Sequence, residues 1–389
     1  MTVDTSEEGT AAEGAAGLTA STLAAQAVEA GEAVLSHRFG SSIALVEPEV
    51  LPGSGPATVV RARIATSPFG LPRTLVIKHY PEPAPKGAPD PFAQEAVSYQ
   101  LFTALPPEDR MCPELLAHDG ARRVLVIDDL GRAPTLQDKL RGSDARAAER
   151  SLLSWARSLG RMHATTAGRE ADFDALLRRL GGPVKHEDST PAVAYAQLPG
   201  LLAEQLGVET PEPVRAFAAE VLRRAKSIAY RAFSPVDLSP DNNLVTSGGV
   251  RFLDFERGRV RNALIDAAHL RVPFVSCVEP RALPAGMSEA MVAAWSAEVT
   301  QVWPGLADNE VLSAHLLDHQ LLLVWGNSWH ALSGTGDKPS ALVTWWRNLE
   351  AYAGRQGEGE LAEHAGAVAA ALDARFGPGL ALPLYPAFR

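Results

Sequence analysis

The hydrophobic pattern changes period once along the chain, near Gly131, and that change bounds the fold class. Before it, ATVVRARIAT (57–66) and RTLVIKHY (73–80) alternate with period two and are rich in β-branched residues. The run SPFGLP separates them, so they are expected as antiparallel neighbours. RRVLVIDDL (122–130) reads as a further strand. The loop PEPAPKGAP leads to Asp90, a good helix N-cap, with Pro91 at the first helical position. The helix behind it sets Phe92, Ala96, Tyr99 and Phe102 on one side, and the chain from Leu18 also has helical character. Beyond Gly131 helical spacing dominates. Leu152, Ala156, Leu159 and His163 share one face, and helical stretches follow over 211–230, 287–302, 308–332, 339–353 and 359–375. One β-like island, NNLVTSGGVRFLDFE (242–256), interrupts them around a Ser-Gly-Gly turn. The expectation is an α+β protein: a disordered acidic tail over 1–20, a β-rich N-terminal part over 21–130, a connector near 128–133, and a helical part over 131–389 carrying one hairpin.

Composition narrows the function classes. A chain of 389 residues suits two or three domains, or one two-lobed enzyme. The balance of 36 basic against 46 acidic residues, net −10, argues against a nucleic-acid partner, which calls for a basic face. Cys112 and Cys277 are too few for a disulfide framework or a four-cysteine zinc site and suit a reducing compartment. The first residues, MTVDTSEEGTAAEGAAG, carry acids where a secretory signal carries Lys or Arg. No run of 18 apolar residues is present, so no membrane partner is expected and the cytoplasm is the expected location. Oligomeric state is left open.

The chemistry concentrates in SPVDLSPDNNLVTSGGVRFLDFERG (234–258). There is no G-x-x-x-x-G-K-[ST] and no H-E-x-x-H, which sets aside P-loop and zincin chemistry. Within 234–258, Asp237 is followed five positions later by Asn242, and Asp254 closes an apolar strand. Phosphoryl transfer needs such a set: one carboxylate to take the proton of an acceptor hydroxyl, and an amide oxygen with a second carboxylate to hold Mg²⁺. Asp, Ser, Pro and Asn also gather in turns for backbone reasons alone. Upstream, Lys78 lies in the strand LVIKHY and Glu95 on the helix begun at Asp90, a pair able to present an ammonium to nucleotide phosphates. Taken singly they read as a solvent-facing strand lysine and a solvated helix face. LPGSGP, with Gly53, Ser54 and Gly55, precedes the first strand and could turn over phosphates. The backbone of Asp128, Asp129 and Leu130, at the connector, could pair with an adenine edge.

In this order these segments resemble the aminoglycoside phosphotransferase and choline kinase family, whose signature is H-G-D-x-x-x-x-N followed by a strand ending in Asp. The resemblance spans roughly 35–335 and implies a two-lobed protein-kinase-like fold with a β-rich N-lobe and a mostly helical C-lobe. It implies Asp237 as catalytic base, Asn242 and Asp254 as Mg²⁺ ligands, and Lys78 on the phosphates of ATP or GTP with Glu95 orienting it. LGRMHATT (159–166) resembles the family's L-x-x-L/M-H helix, with His163 structural, and Asp266 resembles the Asp that braces the catalytic loop. One departure stands out: Pro235-Val236 replaces His-Gly before Asp237.

The acceptor implied is a small-molecule hydroxyl: an aminoglycoside, another antibiotic, an amino alcohol, an amino acid or a biosynthetic intermediate. Asp318, Trp325 and Trp329 lie near one side of a helix and could hold a cation, although Trp and Leu at that spacing also build cores. Two alternatives remain: a catalytically weak nucleotide-binding pseudokinase acting as an interaction module, prompted by Pro235-Val236, and a hydrolase using Ser328 of GNSWH.

Overall fold

The computed structural model describes residues 7–53, 55–65, 70–83, 85, 88–182, 189–275, 277, 279–335 and 338–389, with backbone alone over 7–20. The architecture is α+β, as the change of period requires. It divides into two compact units, Met1–Arg132 with Asp174–Val184 and Phe255–Arg257, and Ala133–Phe173 with Lys185–Asp254 and Gly258–Arg389.

The first unit begins with helix α1 (Glu7–Phe39), then strands β1 (Leu45–Val50), β2 (Thr58–Ile64) and β3 (Thr74–His79), helix α2 (Pro91–Thr103), and strands β4 (Leu115–Asp119) and β5 (Val124–Asp128). Helix thus runs back into the stretch expected as a disordered acidic tail, and residues 1–6 of that tail lie outside the described residues. The strands form one antiparallel sheet in the order β1-β2-β3-β5-β4. Ala27, Ala30, Val34 and Leu35 of α1 pack with Val60, Ala62, Leu75, Ile77, Val124 and Val126. A β-carbon on Gly31 would come within 2.9 Å of Ile77 Cδ1, so the small residue lets α1 approach the sheet closely.

β1 and β4 are edge strands that the alternation did not reveal. β1 carries Pro48 and an irregular register between Val46 and Glu49, with Glu47 at φ 55°. Such a bulge on a largely exposed edge breaks the period that marks a strand. α2 starts as expected: the Asp90 carboxylate accepts the Phe92 N–H at 3.2 Å. Arg123 then grips Asp90 through both terminal guanidinium nitrogens, each at 2.8 Å, while its Nε donates to the Tyr80 carbonyl at 3.2 Å. The end of β3 and the start of α2 are thereby tied to β5. Ten of the thirteen α2 residues, Glu95 and Ser98 included, are buried, and Pro91, Gln100 and Thr103 are half-buried.

The second unit is mostly helical: α3 (Leu136–Arg141), α4 (Ala145–Thr166), α5 (Glu170–Arg179, which continues into the first unit), α6 (Thr190–Leu206) and α7 (Glu212–Ala225). Four short strands follow, β6 (Arg231–Ser234), β7 (Asn243–Thr246), β8 (Gly249–Phe252) and β9 (Arg259–Asn262). β7 and β8 make the expected hairpin, and β6 pairs with β9. Helices α8 (Ala263–Ala268), α9 (Met287–Val299), α10 (Asn309–His330), α11 (Pro339–Arg355) and α12 (Gly359–Phe376) complete it. Its main core joins α6, α7, α10, α11 and α12 through residues such as Leu202, Val221, Leu321, Trp346 and Val368. α4 and α9 cross closely at Gly160, where a β-carbon would come within 2.7 Å of the Trp295 carbonyl oxygen. Among the described residues, no helix is long and apolar enough to cross a membrane.

Candidate active site

In the first unit, β3 and α2 bring Lys78 and Glu95 together. The Lys78 ammonium lies 2.5 Å from Glu95 Oε1; Lys78 is 7% exposed and Glu95 is fully buried. The solvent-facing alternatives for both residues are therefore excluded. Lys78 and Tyr80 are two apart on a strand end and point the same way. The Tyr80 hydroxyl accordingly donates to Glu95 Oε2. A third donor comes from far along the chain: the Phe255 amide donates to Glu95 Oε1 at 3.1 Å. The Phe255 ring packs on Tyr99 and Phe102 of α2, at centroid distances of 5.1 and 5.7 Å. Taking two charges out of water costs several kcal/mol per ion, and it is offset only when the remaining lone pairs are satisfied, as they are here. Because Phe255 directly follows Asp254, α2 holds the neighbour of a proposed metal ligand.

The remaining nucleotide candidates belong to the same unit. Gly53 and Gly55 sit in the β1–β2 connection, closed by the Leu51 amide donating to the Val59 carbonyl at 2.9 Å; Ser54 lies outside the described residues. A β-carbon on Gly55 would meet Glu256 Oε2 at 3.0 Å, so this loop runs against the residue two past Asp254. Asp129 is not an exposed strand-end acid: Arg61 holds it through two bonds of 2.9 and 3.0 Å. Asp128 accepts the Glu114 amide on its side chain and donates its own amide to the Glu114 carbonyl at 2.9 Å. That leaves its amide already engaged, so any edge pairing at Asp128–Leu130 must use other backbone groups.

In the second unit, consecutive hydrogen bonds tie Asp237, Asn242 and the residue before Asp254. Asp237 Oδ1 accepts the Ser239 amide at 3.0 Å, the Asn242 amide donates to the Ser239 carbonyl at 3.1 Å, and the Leu253 amide donates to the Asn242 carbonyl at 2.9 Å. The β7–β8 register pairs Asn243 with Phe252, so Asn242 and Asp254 leave the hairpin at the same end. All three side chains are half-buried.

Two residues here hold left-handed backbone. Val236 has φ 68° and Asp254 φ 62°. The Asp237 amide donates to the Pro235 carbonyl at 2.8 Å, so Val236 centres a γ-turn with positive φ, a strained geometry. For a β-branched residue this is an outlier, which persists only where the surroundings over-determine it. The surroundings are visible. The Val236 amide donates to Ser234 Oγ at 3.0 Å, and Arg261 Nε donates to the same oxygen at 2.9 Å. Arg261 also donates to Asp266 Oδ1, and His163 Nε2 stands 3.1 Å from Asp266 Oδ2.

Trp295 settles the tautomer in this chain. Its indole N–H can only donate, and it meets His163 Nδ1 at 2.9 Å. His163 therefore carries its proton on Nε2 and donates it to Asp266. Burial by itself would raise the Asp266 carboxyl, but Arg261, His163 and Ser234 outweigh it and hold the group well below the usual carboxylate range. Beside this network the His269 imidazole is pushed down to about 4 by burial, against the pull of Asp266 and Asp237.

The cation-holding wall is not assembled. Asp318 receives two bonds of 2.8 Å from Arg224 of α7, and Trp325 is 2% exposed in the helical core with Tyr195 stacked on it. Trp329 donates to Gln197 at 2.8 Å. Ser328 is buried within α10 and its hydroxyl oxygen accepts the Trp346 indole N–H at 2.9 Å, so no strand-to-helix elbow presents it. Tyr80, the Phe255 amide, Ser234, Arg261 and Trp295 were not singled out from sequence. Only Tyr80 had a usable signal there, its two-residue spacing from Lys78.

No protein-family model and no curated protein matches the chain. Solved structures do. The chain is similar to choline kinase LicA from Streptococcus pneumoniae, with 13% identity over 81% of this chain and 93% of that one and a TM-score of 0.40. It is similar to a putative aminoglycoside phosphotransferase from Ralstonia eutropha, with 15% identity, coverage of 89% and 98%, and a TM-score of 0.46. It is also similar to a putative fructosamine-3-kinase from Thermobifida fusca, with 18% identity, coverage of 85% and 96%, and a TM-score of 0.43.

Proposed function

We propose that this protein is a Mg²⁺-dependent O-phosphotransferase that moves the γ-phosphate of ATP or GTP to a hydroxyl of a small molecule. The observation that carries the reading is the buried Glu95 carboxylate, which receives the Lys78 ammonium, the Tyr80 hydroxyl and the Phe255 amide. Burying an ion pair is a poor way to gain stability, since well-packed apolar residues serve as well or better. A lysine held this way is positioned, and the same carboxylate also fixes the backbone next to Asp254. Lys78 would meet the nucleotide phosphates, and the β1–β2 loop with Gly53 and Gly55 would lie over them.

Asp237 commits Oδ1 to the Ser239 amide, which orients Oδ2 to accept the proton of the acceptor hydroxyl as its oxygen attacks phosphorus. Asn242 and Asp254 offer hard oxygen donors at one end of a hairpin, a set that fits Mg²⁺ when water and phosphate oxygens complete it. When bound, the metal supplies positive charge that offsets the charge on the phosphates. The left-handed turn at Val236 answers the Pro235-Val236 departure: the backbone shape that a glycine would adopt there is kept by a valine. This favours an active enzyme over a pseudokinase. The acceptor stays a small hydroxyl compound, without the aromatic cation box first expected.

The test is nucleotide turnover against a panel of hydroxyl-bearing metabolites and antibiotics. Acceptor-stimulated ADP or GDP release that requires Mg²⁺ and disappears in Asp237→Asn is expected. Nucleotide binding without release for any acceptor would favour the pseudokinase.

A further inference from the structure

Arg271 is 7% exposed, yet among the described residues its guanidinium makes a single long hydrogen bond, to the Ser313 carbonyl at 3.5 Å. Among the described residues no carboxylate lies within ion-pair distance of it. A guanidinium has five donors and a buried charge of this kind is costly unless paired. It opens onto a cavity of about 290 Å³ in the second unit, and a neighbouring one of about 440 Å³ shares Arg271, Glu289 and Tyr352 with it.

The lining of the first cavity is basic although the whole chain is acidic. Arg281 and Arg355 join Arg271, against Glu289 as the acid. That acid is already engaged: Glu289 Oε1 accepts the Tyr352 hydroxyl at 3.1 Å and stands 3.7 Å from Arg355. Arg271 and Arg355 each lie 4.2 Å from the Tyr352 ring centroid. The ring attracts both cations, but it brings two like charges to one side chain, and an anion would relieve their repulsion. Burial above all, with Arg355 adding to it, holds the Arg271 guanidinium below its usual range, against the pull of Tyr352 and Glu289. Asn348 and Thr344 add neutral hydrogen-bonding groups to the same lining.

We infer that this cavity binds a small molecule through a carboxylate or phosphate group, with Arg271 as the buried anchor and Arg281 and Arg355 at its side. The planar guanidinium fork suits either group bidentately. The volume fits a ligand of a few heavy atoms beyond the anion. None of the residues assigned to phosphoryl transfer lines the cavity, so the inference does not rest on that assignment.

The test is calorimetric titration of the full chain with inorganic phosphate and, separately, with malonate, at matched ionic strength and without nucleotide or Mg²⁺. Wild type and Lys78→Met are expected to bind at least one of the two anions with equal affinity. Arg271→Met and Arg281→Ala are expected to weaken that binding by about tenfold or more, the loss of charge-assisted bonds. Arg281→Ala removes a partly exposed side chain and keeps the test valid should Arg271→Met fail to fold. The tighter anion names the group recognised. Absence of binding by both anions at tens of millimolar overturns the inference. So does binding that survives both arginine variants, or binding that is lost in Lys78→Met and kept in Arg271→Met.

Discussion

Asp266→Asn tests whether the brace behind the catalytic loop works as the hydrogen bonds indicate. Asp266 is fully buried and uses both oxygens: Oδ1 accepts from Arg261 and Oδ2 from His163 Nε2. Asparagine has one acceptor oxygen, so its NH₂ must face one of these donors. His163 cannot relieve the clash by changing tautomer, because its Nδ1 already accepts the Trp295 indole N–H at 2.9 Å. Arg261 meanwhile loses its counter-charge. Breaking a buried pair in this way costs about 3–5 kcal/mol. At roughly 2–4 °C per kcal/mol for a domain of this size, the melting temperature should fall by about 6–20 °C.

The assay is thermal unfolding at pH 7 followed by tryptophan fluorescence. A double-mutant cycle with Trp295→Phe sharpens it. Without the indole N–H, His163 can turn its unprotonated Nε2 to the new amide. The Asp266→Asn penalty should then shrink by roughly 1–2 kcal/mol, within the range of measured couplings between contacting residues. A single-variant cost below about 1 kcal/mol, or strictly additive effects, would refute the locked tautomer and the brace together.

Three further outcomes follow from named contacts. Val236→Gly should change stability by less than about 1 kcal/mol, since relief of left-handed strain near 1–2 kcal/mol is set against glycine's extra backbone entropy of about 0.5–1; turnover should persist, and its loss would show that the valine side chain itself matters. Gly160→Ala should destabilise by about 1–3 kcal/mol in chemical denaturation, because the new methyl meets the Trp295 carbonyl at 2.7 Å and backbone must move. His364 is pushed down to about 4 by burial, so the unfolded chain binds a proton near pH 6.5 that the folded chain refuses. Stability from this group is therefore full above pH 6.5 and lost as pH falls toward 4, by about 2 kcal/mol between pH 7 and pH 5; His364→Leu should flatten that part of the pH–stability curve, and an unchanged slope would contradict the assignment.

What sequence revealed and what it hid have physical causes. β2, β3 and β5 were legible because their alternation is regular, the β7–β8 hairpin because a Ser-Gly-Gly turn joins its two short strands, and α2 because Asp90 and Pro91 mark its start. β1 was hidden by the bulge at Glu47 and Pro48, and β6 and β9 by having four residues each, too few for a period. The pairing of Lys78 with Glu95 could be anticipated from order and element type. The Phe255 amide that completes the carboxylate lies 160 residues from Glu95, and backbone donors leave no trace in residue identity. The acidic–aromatic wall failed for the opposite reason. Spacing on α10 places Asp318 near Trp325, but it does not say that Arg224, 94 residues away, takes the carboxylate while the core takes the indole.

The most direct measurement of the central claim is nucleotide affinity and acceptor-stimulated turnover in wild type, Asp237→Asn and Lys78→Met, each with and without Mg²⁺. Turnover should require Mg²⁺. Asp237→Asn should lower it by about 10²–10⁴-fold, the usual worth of a general base, with nucleotide affinity unchanged. Lys78→Met should weaken nucleotide binding itself. Full turnover in Asp237→Asn, or unaltered nucleotide affinity in Lys78→Met, would contradict the account.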